Sequence, residues 1–395
     1  NNGITSKDSL EIYDGAVTVD AANHGVNGKD SNTIDSAILT VTCGGDAVRS
    51  TNDSDETLGW VSVSNSTLTL TAGEDGIQAE TSAVVSAGTY AITSGGGSTV
   101  TPGDDVSAKG IKTGTDLTLS SGIYTLDCSD DAIHANGNVT ITGGSYTIST
   151  GDDAAHADGD LTVSGGTLDI QASYEGLEGG TVTVSGGDIT AVSSDDALNA
   201  AGGNDGSGFG GHGMGNTFTP GGNSSAITIT DGTIQMLAGG DGLDSNGSIE
   251  MTGGTVVAVG SAGMAQGVSD PSIPGTVMNA SGSGVLEVLD SAGNVLIHFE
   301  TLHAYSHAVL YSDRFTDGET YTVTMGGNSQ SVQMTTDSTG GMGFGGGRGG
   351  VGGGRRETPE AMPEGGSGER PAREPGTAPE SAPPEGESGS GEEKL

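Results

Sequence analysis

The chain has 395 residues; 74 are glycine, 32% are hydrophobic, 4% are aromatic, and the formal charge is −40. So few apolar side chains exclude a broad multilayer core, and no stretch approaches the run of about 18 apolar residues that a membrane-spanning helix needs. A charge this negative repels nucleic-acid phosphates and anionic membranes, so neither nucleic acid nor membrane insertion is expected.

The chain begins at Asn1 without a signal-peptide pattern, which implies a leader already removed and an extracellular or cell-surface location. From His24 onward a repeat sets the register. Its marker positions are His24, Asp46, Asp75, Lys109, Asp131, Asp153, Glu175, Asp196 and Asp241, with a degenerate copy near Ala262. The central steps, Asp131 to Asp153 to Glu175 to Asp196, are 22, 22 and 21 residues. Steps of 29 and 34 residues upstream, and of 45 before Asp241, read as copies carrying insertions.

Each copy holds two short alternating segments, such as Asn138 to Thr142 and Ser145 to Ser149, separated by a Gly-Gly pair, here Gly143-Gly144. Period-two alternation is the mark of a strand. A third apolar spot recurs at Ile133, Ala155, Leu177, Leu198 and Leu243. Three short strands per copy predict an all-β fold, a right-handed parallel β-helix (solenoid) over residues 1–267, with successive coils about 4.8 Å apart. A stack of two-residue hairpins is the rival; it suits the Gly-Gly pairs but leaves the third apolar spot unexplained. In this register Cys43 and Cys128 share a corner three coils apart, roughly 14 Å at the coil spacing, which is too far for a disulfide.

Further along, residues 202–223 form a Gly-rich insertion. Two hairpin signals around Ser291 to Asn294 and Gly326 to Asn328 predict a small antiparallel C-terminal β unit over 268–340. Residues 341–395 turn Gly-rich and then Pro/Glu-rich, the composition of a disordered tail.

The acids carry the candidate chemistry. Asp46, Asp130, Asp131, Asp152, Asp153, Glu175, Asp195, Asp196 and Asp241 would stack along one edge, where like charges repel unless protonated or bridged by a cation. Carboxylates and carbonyls suit Ca²⁺; the alternative is that the Asp side chains cap backbone N–H groups at turns. Asp53 and Asp55 in the acidic insertion after Asp46 offer a second oxygen-rich loop. Three residues past the markers come Asn27, Arg49, Gln78, Lys112, His134, His156, Glu178, Asn199 and Asp244. Alternation points them outward. From this file Arg49, Lys112, His134, His156, Glu178, Asn199 and Asp244 are the candidate polysaccharide-binding residues. Trp60, the single tryptophan, suits a sugar ring or ordinary packing equally well.

The segments GGDAVRSTNDSDETLGWVSV, AGEDGIQAET, DDAIHANGNVTITGG, YEGLEGGTVTVSGG, SDDALNAAGG and GGDGLDSNG resemble, in the same order, the bacterial carbohydrate-binding domain-containing proteins, secreted β-helix proteins similar to polysaccharide lyases. The resemblance runs from about Ser6 to Gly340. Where that family usually has Asp-Gly-Ile, this chain has Asp46-Ala47-Val48, Asp131-Ala132-Ile133 and Asp153-Ala154-Ala155. The resemblance implies binding of cell-wall polysaccharides such as cellulose or pectic acid, with structural calcium. The expected function is thus a secreted, monomeric, Ca²⁺-stabilised carbohydrate-binding protein. A polysaccharide lyase acting on uronic-acid polymers is the alternative, although Arg49, Lys109 and Lys112 are the only cations of the ladder face and none pairs obviously with an acidic cluster. A surface adhesin or stalk without sugar affinity is the third reading.

Overall fold

A computed structural model describes residues 1–103, 106–200, 225–263 and 266–338. The expected Gly-rich insertion at 202–223 and the tail at 341–395 lie outside them. The chain divides into two units, Asn1–Gly345 and Gly346–Leu395, and every described residue belongs to the first. Among the described residues all regular structure is β.

The chain passes through three ladders in turn, and neighbours within each ladder are parallel. The first is built from strands of only three residues, among them Val48–Ser50, Ile77–Ala79, Ile111–Thr113 and Ile133–Ala135. In it Val48 faces Ile77, Ile77 faces Ile111, and Ile111 faces Ile133. In the second ladder Leu117–Leu119 lies on Val139–Ile141; in the third, Ile123–Cys128 lies on Ser145–Thr150. The two segments flanking Gly143-Gly144 therefore pair with their equivalents one pass away and not with each other, which removes the hairpin alternative. The steps of 29 and 34 residues leave this pairing intact, with Ser50 on Ala79 and Ser94 on Cys128. Extra chain at a corner costs only loop entropy and breaks no ladder bond. The stack also begins one pass before His24, with Ile4–Ser6 on Val26–Gly28.

Alternation decides the interior. Val26, Val48, Ile77, Ile111, Ile133, Ala155, Leu177 and Leu198 are fully buried along one column, so one apolar position per pass suffices for that wall. The few aromatics are concentrated. Tyr90, Tyr124 and Tyr146 stack inside, with ring centroids 4.8 and 4.4 Å apart. Each hydroxyl donates to a corner carbonyl, Tyr90 to Ser86 at 2.8 Å, Tyr124 to Ser121 at 2.8 Å and Tyr146 to Gly143 at 2.9 Å. At the same corner Gly144 and Gly166 have φ of 108° and 103°. A Cβ on Gly166 would also fall 2.9 Å from the carbonyl oxygen of Gly144, so stacking and backbone conformation both demand glycine there.

Cys43 reaches Cys128 through Ala72 and Ser94, three steps along one ladder, and both are free and buried. Beyond the last parallel strands the pairing reverses. Thr255–Gly260 lies antiparallel to Val295–Ser312, which pairs with Gly275–Leu289, and that strand pairs with Thr320–Met325. The reversal covers an edge that would otherwise be open to strand addition. A separate apolar cluster including Leu286, Val288, Ile297, Phe299 and Tyr321 holds these strands together.

The tyrosine column is a direct test of this packing. Tyr124→Ala should destabilise the protein by about 3–5 kcal/mol through the cavity left between two rings. Tyr124→Phe, which removes the hydroxyl's bonds to the Ser121 and Val85 carbonyls, should cost about 1 kcal/mol. Denaturant unfolding measures both, and equal costs would show that the rings do not pack as described.

Candidate functional site

The corner before each first-ladder strand exposes a backbone N–H that the parallel ladder leaves unbonded. The marker side chain of the preceding pass accepts it. His24 Nδ1 accepts from Asp46 N at 3.0 Å, and Asp46 Oδ1 accepts from Asp75 N at 3.1 Å. Asp75 Oδ1 accepts from Lys109 N at 2.8 Å, Asp131 Oδ1 from Asp153 N at 3.0 Å, and Asp153 Oδ1 from Glu175 N at 3.2 Å. Asp196 Oδ1 accepts from Asp241 N at 2.6 Å. The Asp ladder thus caps backbone amides, reaching from one pass to the next and not within its own turn. Lys109 cannot accept, and there the pattern changes: Asp130 Oδ1 accepts from Asp131 N at 2.9 Å.

Several of these acids have cations supplied by the chain itself. Lys109 Nζ donates to Asp130 Oδ1 at 2.7 Å and to Asp131 Oδ2 at 2.6 Å. Burial opposes the charge of Asp131, yet Lys109 and then His134 hold its carboxyl well below the usual range. Burial likewise disfavours the Lys109 ammonium, and the charges of Asp131 and Asp130 outweigh it, raising its pKa. His156 Nδ1 lies 3.2 Å from Asp153 Oδ2 and 2.8 Å from Glu178 Oε2, and its Nε2 lies 3.2 Å from Asp158 Oδ1. Burial alone would lower the His156 pKa; bonds to Asp153 and Glu178 raise it to about 12, while burial pushes the Asp153 carboxyl up as well. Arg49 Nη1 lies 3.1 Å from Asp46 Oδ2 and 3.0 Å from His24 Nε2. The three cations of the ladder face therefore do pair with acids, contrary to expectation, because Lys112 Nζ also stands 3.9 Å from Asp75 Oδ2.

From Glu175 onward no described Lys, Arg or His forms an ion pair with Glu175, Asp195, Asp196, Asp241 or Asp244. Burial, then the charge of Glu178, pushes Glu175 up to about 9. Burial pushes Asp196 to about 7 and Asp241 to about 6. A Cβ on Gly240 would fall 2.4 Å from Oδ1 of both Asp195 and Asp196, so the two oxygens converge on one point. Asn199 is buried beside them, its Nδ2 donating to Glu175 Oε2 at 2.7 Å and its Oδ1 lacking any partner.

The outward file is less open than alternation suggested. His134, His156, Glu178 and Asn199 are all buried. His134 and His156 stack with centroids 5.0 Å apart at 12°, and each ring is flanked by acids of its own pass. Pointing away from the core is not the same as reaching solvent, because neighbours along a ladder cover one another. At the other end of the file Arg49, Gln78 and Lys112 remain half-exposed and line a cleft of about 420 Å³ together with Asp46, Thr51, Glu74, Asp75, Glu80, Val106 and Ser107. Asp244, also half-exposed, accepts from Gln266 Nε2 at 2.9 Å. The file is continuous along the ladder, with Lys112 paired to His134, but it is open at Arg49, Gln78 and Lys112 and closes over from His134 to Asn199. Sequence reasoning missed Glu74 and Glu80; they bracket the strand Ile77–Ala79, four residues before and two after Gln78, and no signal in the sequence sets them apart from the other acids.

The acidic insertion closes on itself. Asn52 Oδ1 accepts from the backbone N of Ser54 and Asp55, and Asp55 Oδ1 accepts from Thr57 N at 3.0 Å. Neither Asp53 nor Asp55 belongs to a described cluster of three metal-ligating side chains; the clusters are His24–Asp46–Glu74, Asp153–His156–Glu178 and Asp130–Asp131–Asp152. Each of these already contains or touches a cation of the chain. Trp60 lines neither cleft. A larger cleft of about 630 Å³, bounded by Gly187, Asp231, His298 and Arg314, has much of its polar rim bonded internally, Gln235 to the His298 carbonyl and Arg314 to the Leu296 carbonyl.

The raised carboxyls set a pH dependence. Glu175, Asp196, Asp241 and Asp75, the last pushed to about 6 by burial, bind protons more tightly folded than unfolded, where they titrate near about 4. Their contribution is full below about pH 4 and is lost as pH rises through 6 to 9. In chelator, the unfolding midpoint should therefore fall between pH 5 and pH 9. A midpoint that rises across that interval would contradict the burial of these acids.

Compared with known families, residues 1–154 match the model of a family described as carbohydrate-binding domain-containing protein. The match takes in the passes of His24 to Asp131 and the Arg49–Lys112 cleft, and it ends before Tyr174, where the expected resemblance continued. No curated protein and no solved structure matches the chain.

Proposed function

We propose that the protein is a secreted polysaccharide-binding protein whose three ladders wind as a right-handed parallel β-helix, similar in plan to pectate lyases. The carrying observation is the cleft of Arg49, Gln78 and Lys112, which lies within the part of the chain similar to a carbohydrate-binding family. These three occupy successive first-ladder positions, so Arg49 and Lys112 are two steps, roughly 10 Å, apart along the stack. An extended glycan lying along the stack would meet one polar side chain at each step. Cellulose and pectic acid are the polymers to try first. In pull-downs on insoluble polysaccharides, Arg49→Ala with Lys112→Ala should lower retention at least about tenfold, two charge-assisted contacts being removed. Wild-type protein that binds no member of the panel would favour the adhesin or stalk reading.

We further propose Ca²⁺ at the later acids. The clusters around Lys109, His156 and Arg49 do not fit a metal, since the chain's own cations occupy them. Glu175, Asp195, Asp196, Asp241 and the bare Oδ1 of Asn199 are oxygen donors that form no ion pair with a described cation, and Oδ1 of Asp195 and of Asp196 both face Gly240, although no three of these acids group as closely as the clusters around Lys109, His156 and Arg49 do. Bound there, Ca²⁺ would offset the mutual repulsion of these acids. Millimolar calcium should raise the melting midpoint over that in chelator, and Asp195→Asn with Asp241→Asn should abolish the shift. Identical wild-type curves in calcium and chelator would remove calcium from the reading.

Lyase activity is the second reading, favoured by one observation: Lys112, Asp75 and Arg49 share the cleft, with Asp75 titrating near 6. Release of unsaturated uronides from polygalacturonate, followed by ultraviolet absorbance, separates an enzyme from a binding protein.

A further inference from the structure

The charge of the cleft identifies the class of sugar it accepts. This inference rests on the carbohydrate-binding reading of the same site. Four carboxylates, Asp46, Glu74, Asp75 and Glu80, share the wall with two cations, Arg49 and Lys112. Both cations are engaged: Arg49 Nη1 donates to Asp46 Oδ2 at 3.1 Å, and Lys112 Nζ donates to Ser107 Oγ at 3.0 Å and stands 3.9 Å from Asp75 Oδ2. That arrangement matches each cation to one buried aspartate. Glu74 and Glu80 are left over. They are half-exposed, lie before and after the strand Ile77–Ala79, and form no hydrogen bond through their carboxylates and no ion pair among the described residues.

A uronate entering this cleft would have to draw Arg49 away from Asp46, and it would bring its own negative charge against two glutamates that form no ion pair among the described residues, in a chain of charge −40. A neutral sugar would leave both glutamates without counter-charge. A sugar carrying a primary ammonium supplies what the wall lacks, two sites for charge-assisted hydrogen bonds, while Gln78 remains for hydroxyls. We infer that the Arg49–Lys112 cleft takes a polymer of amino sugars with free ammonium groups, of the poly-glucosamine type, held by Glu74 and Glu80.

The test is calorimetric titration of the full chain at physiological salt and about pH 5.5, where primary amines are protonated. Four hexamers serve as probes: glucosamine, N-acetylglucosamine, glucose of the cellulose type, and galacturonate. The glucosamine hexamer should bind about tenfold more tightly than its N-acetylated counterpart. Glu74→Gln with Glu80→Gln should erase that preference with the melting midpoint unchanged. Should the double variant melt early, Glu80→Gln alone, at a side chain that bonds to nothing, should weaken the preference several-fold. Equal affinity for the acetylated hexamer, or preference for cellulose-type or galacturonate hexamers, overturns the inference and leaves the polysaccharide reading standing. A glucosamine preference that survives in the folded double variant also overturns it, by showing diffuse attraction to an acidic chain. If no hexamer and no polymer of the pull-down panel is retained, the polysaccharide reading itself fails.

Discussion

A backbone N–H at the entry to each first-ladder strand needs an acceptor, and the parallel ladder does not supply one. The side chain one pass earlier does. A buried amide without a partner costs about 1–3 kcal/mol, so an acceptor is needed there, and the marker best suited is short and able to accept; where it is Lys109, Asp130 caps the Asp131 amide instead. Aspartate satisfies both conditions at Asp46, Asp75, Asp131, Asp153 and Asp196. At these five positions the acid answers a hydrogen-bonding demand of the backbone, not a demand for a charged surface.

That solution creates a second problem. Stacking places carboxylates one strand spacing apart in a region where water is largely excluded. The chain answers it differently along its length. Lys109 and His156 are buried counter-ions, held in place by the same stacking that buries the acids. Their removal would leave charges that the interior cannot solvate. Arg49 does the same for Asp46 at the rim of the cleft, so a residue lining the cleft is also part of the charge compensation. After Glu175 this supply ends, and the carboxyls respond by holding their protons more tightly.

Much of this was legible in the sequence. The marker register, the free cysteines and the three strands per pass follow from spacing, because a parallel ladder converts equal spacing into contact. The first pass was not legible: Asn2 stands where later passes have His or an acid, and Ile4-Thr5-Ser6 alone is too short a pattern. The burial of His134 and His156 was not legible either, since alternation gives the direction of a side chain but not what lies over it. Nor was the pairing of Lys109 with Asp130 and Asp131, for a lysine at a marker position reads as an exception to the pattern until the amide it fails to cap is identified. Glu74 and Glu80 were hidden among many acids, and became distinct only when their neighbours proved to be bonded.

The indifference of the ladders to inserted chain has an evolutionary consequence. Each pass touches only the one before and the one after, so interactions are nearest-neighbour, as in a one-dimensional lattice. Lengthening a corner, as between Ser50 and Trp60 or between Ser94 and Ile111, changes what that corner displays without altering the bonds on which its neighbours depend. Both of these lengthened corners contribute to the cleft, through Thr51 on one side and Val106 and Ser107 on the other. Insertion could therefore change what the cleft displays while the ladders kept their register, with Arg49, which also pairs with Asp46, tying one cleft residue to the scaffold.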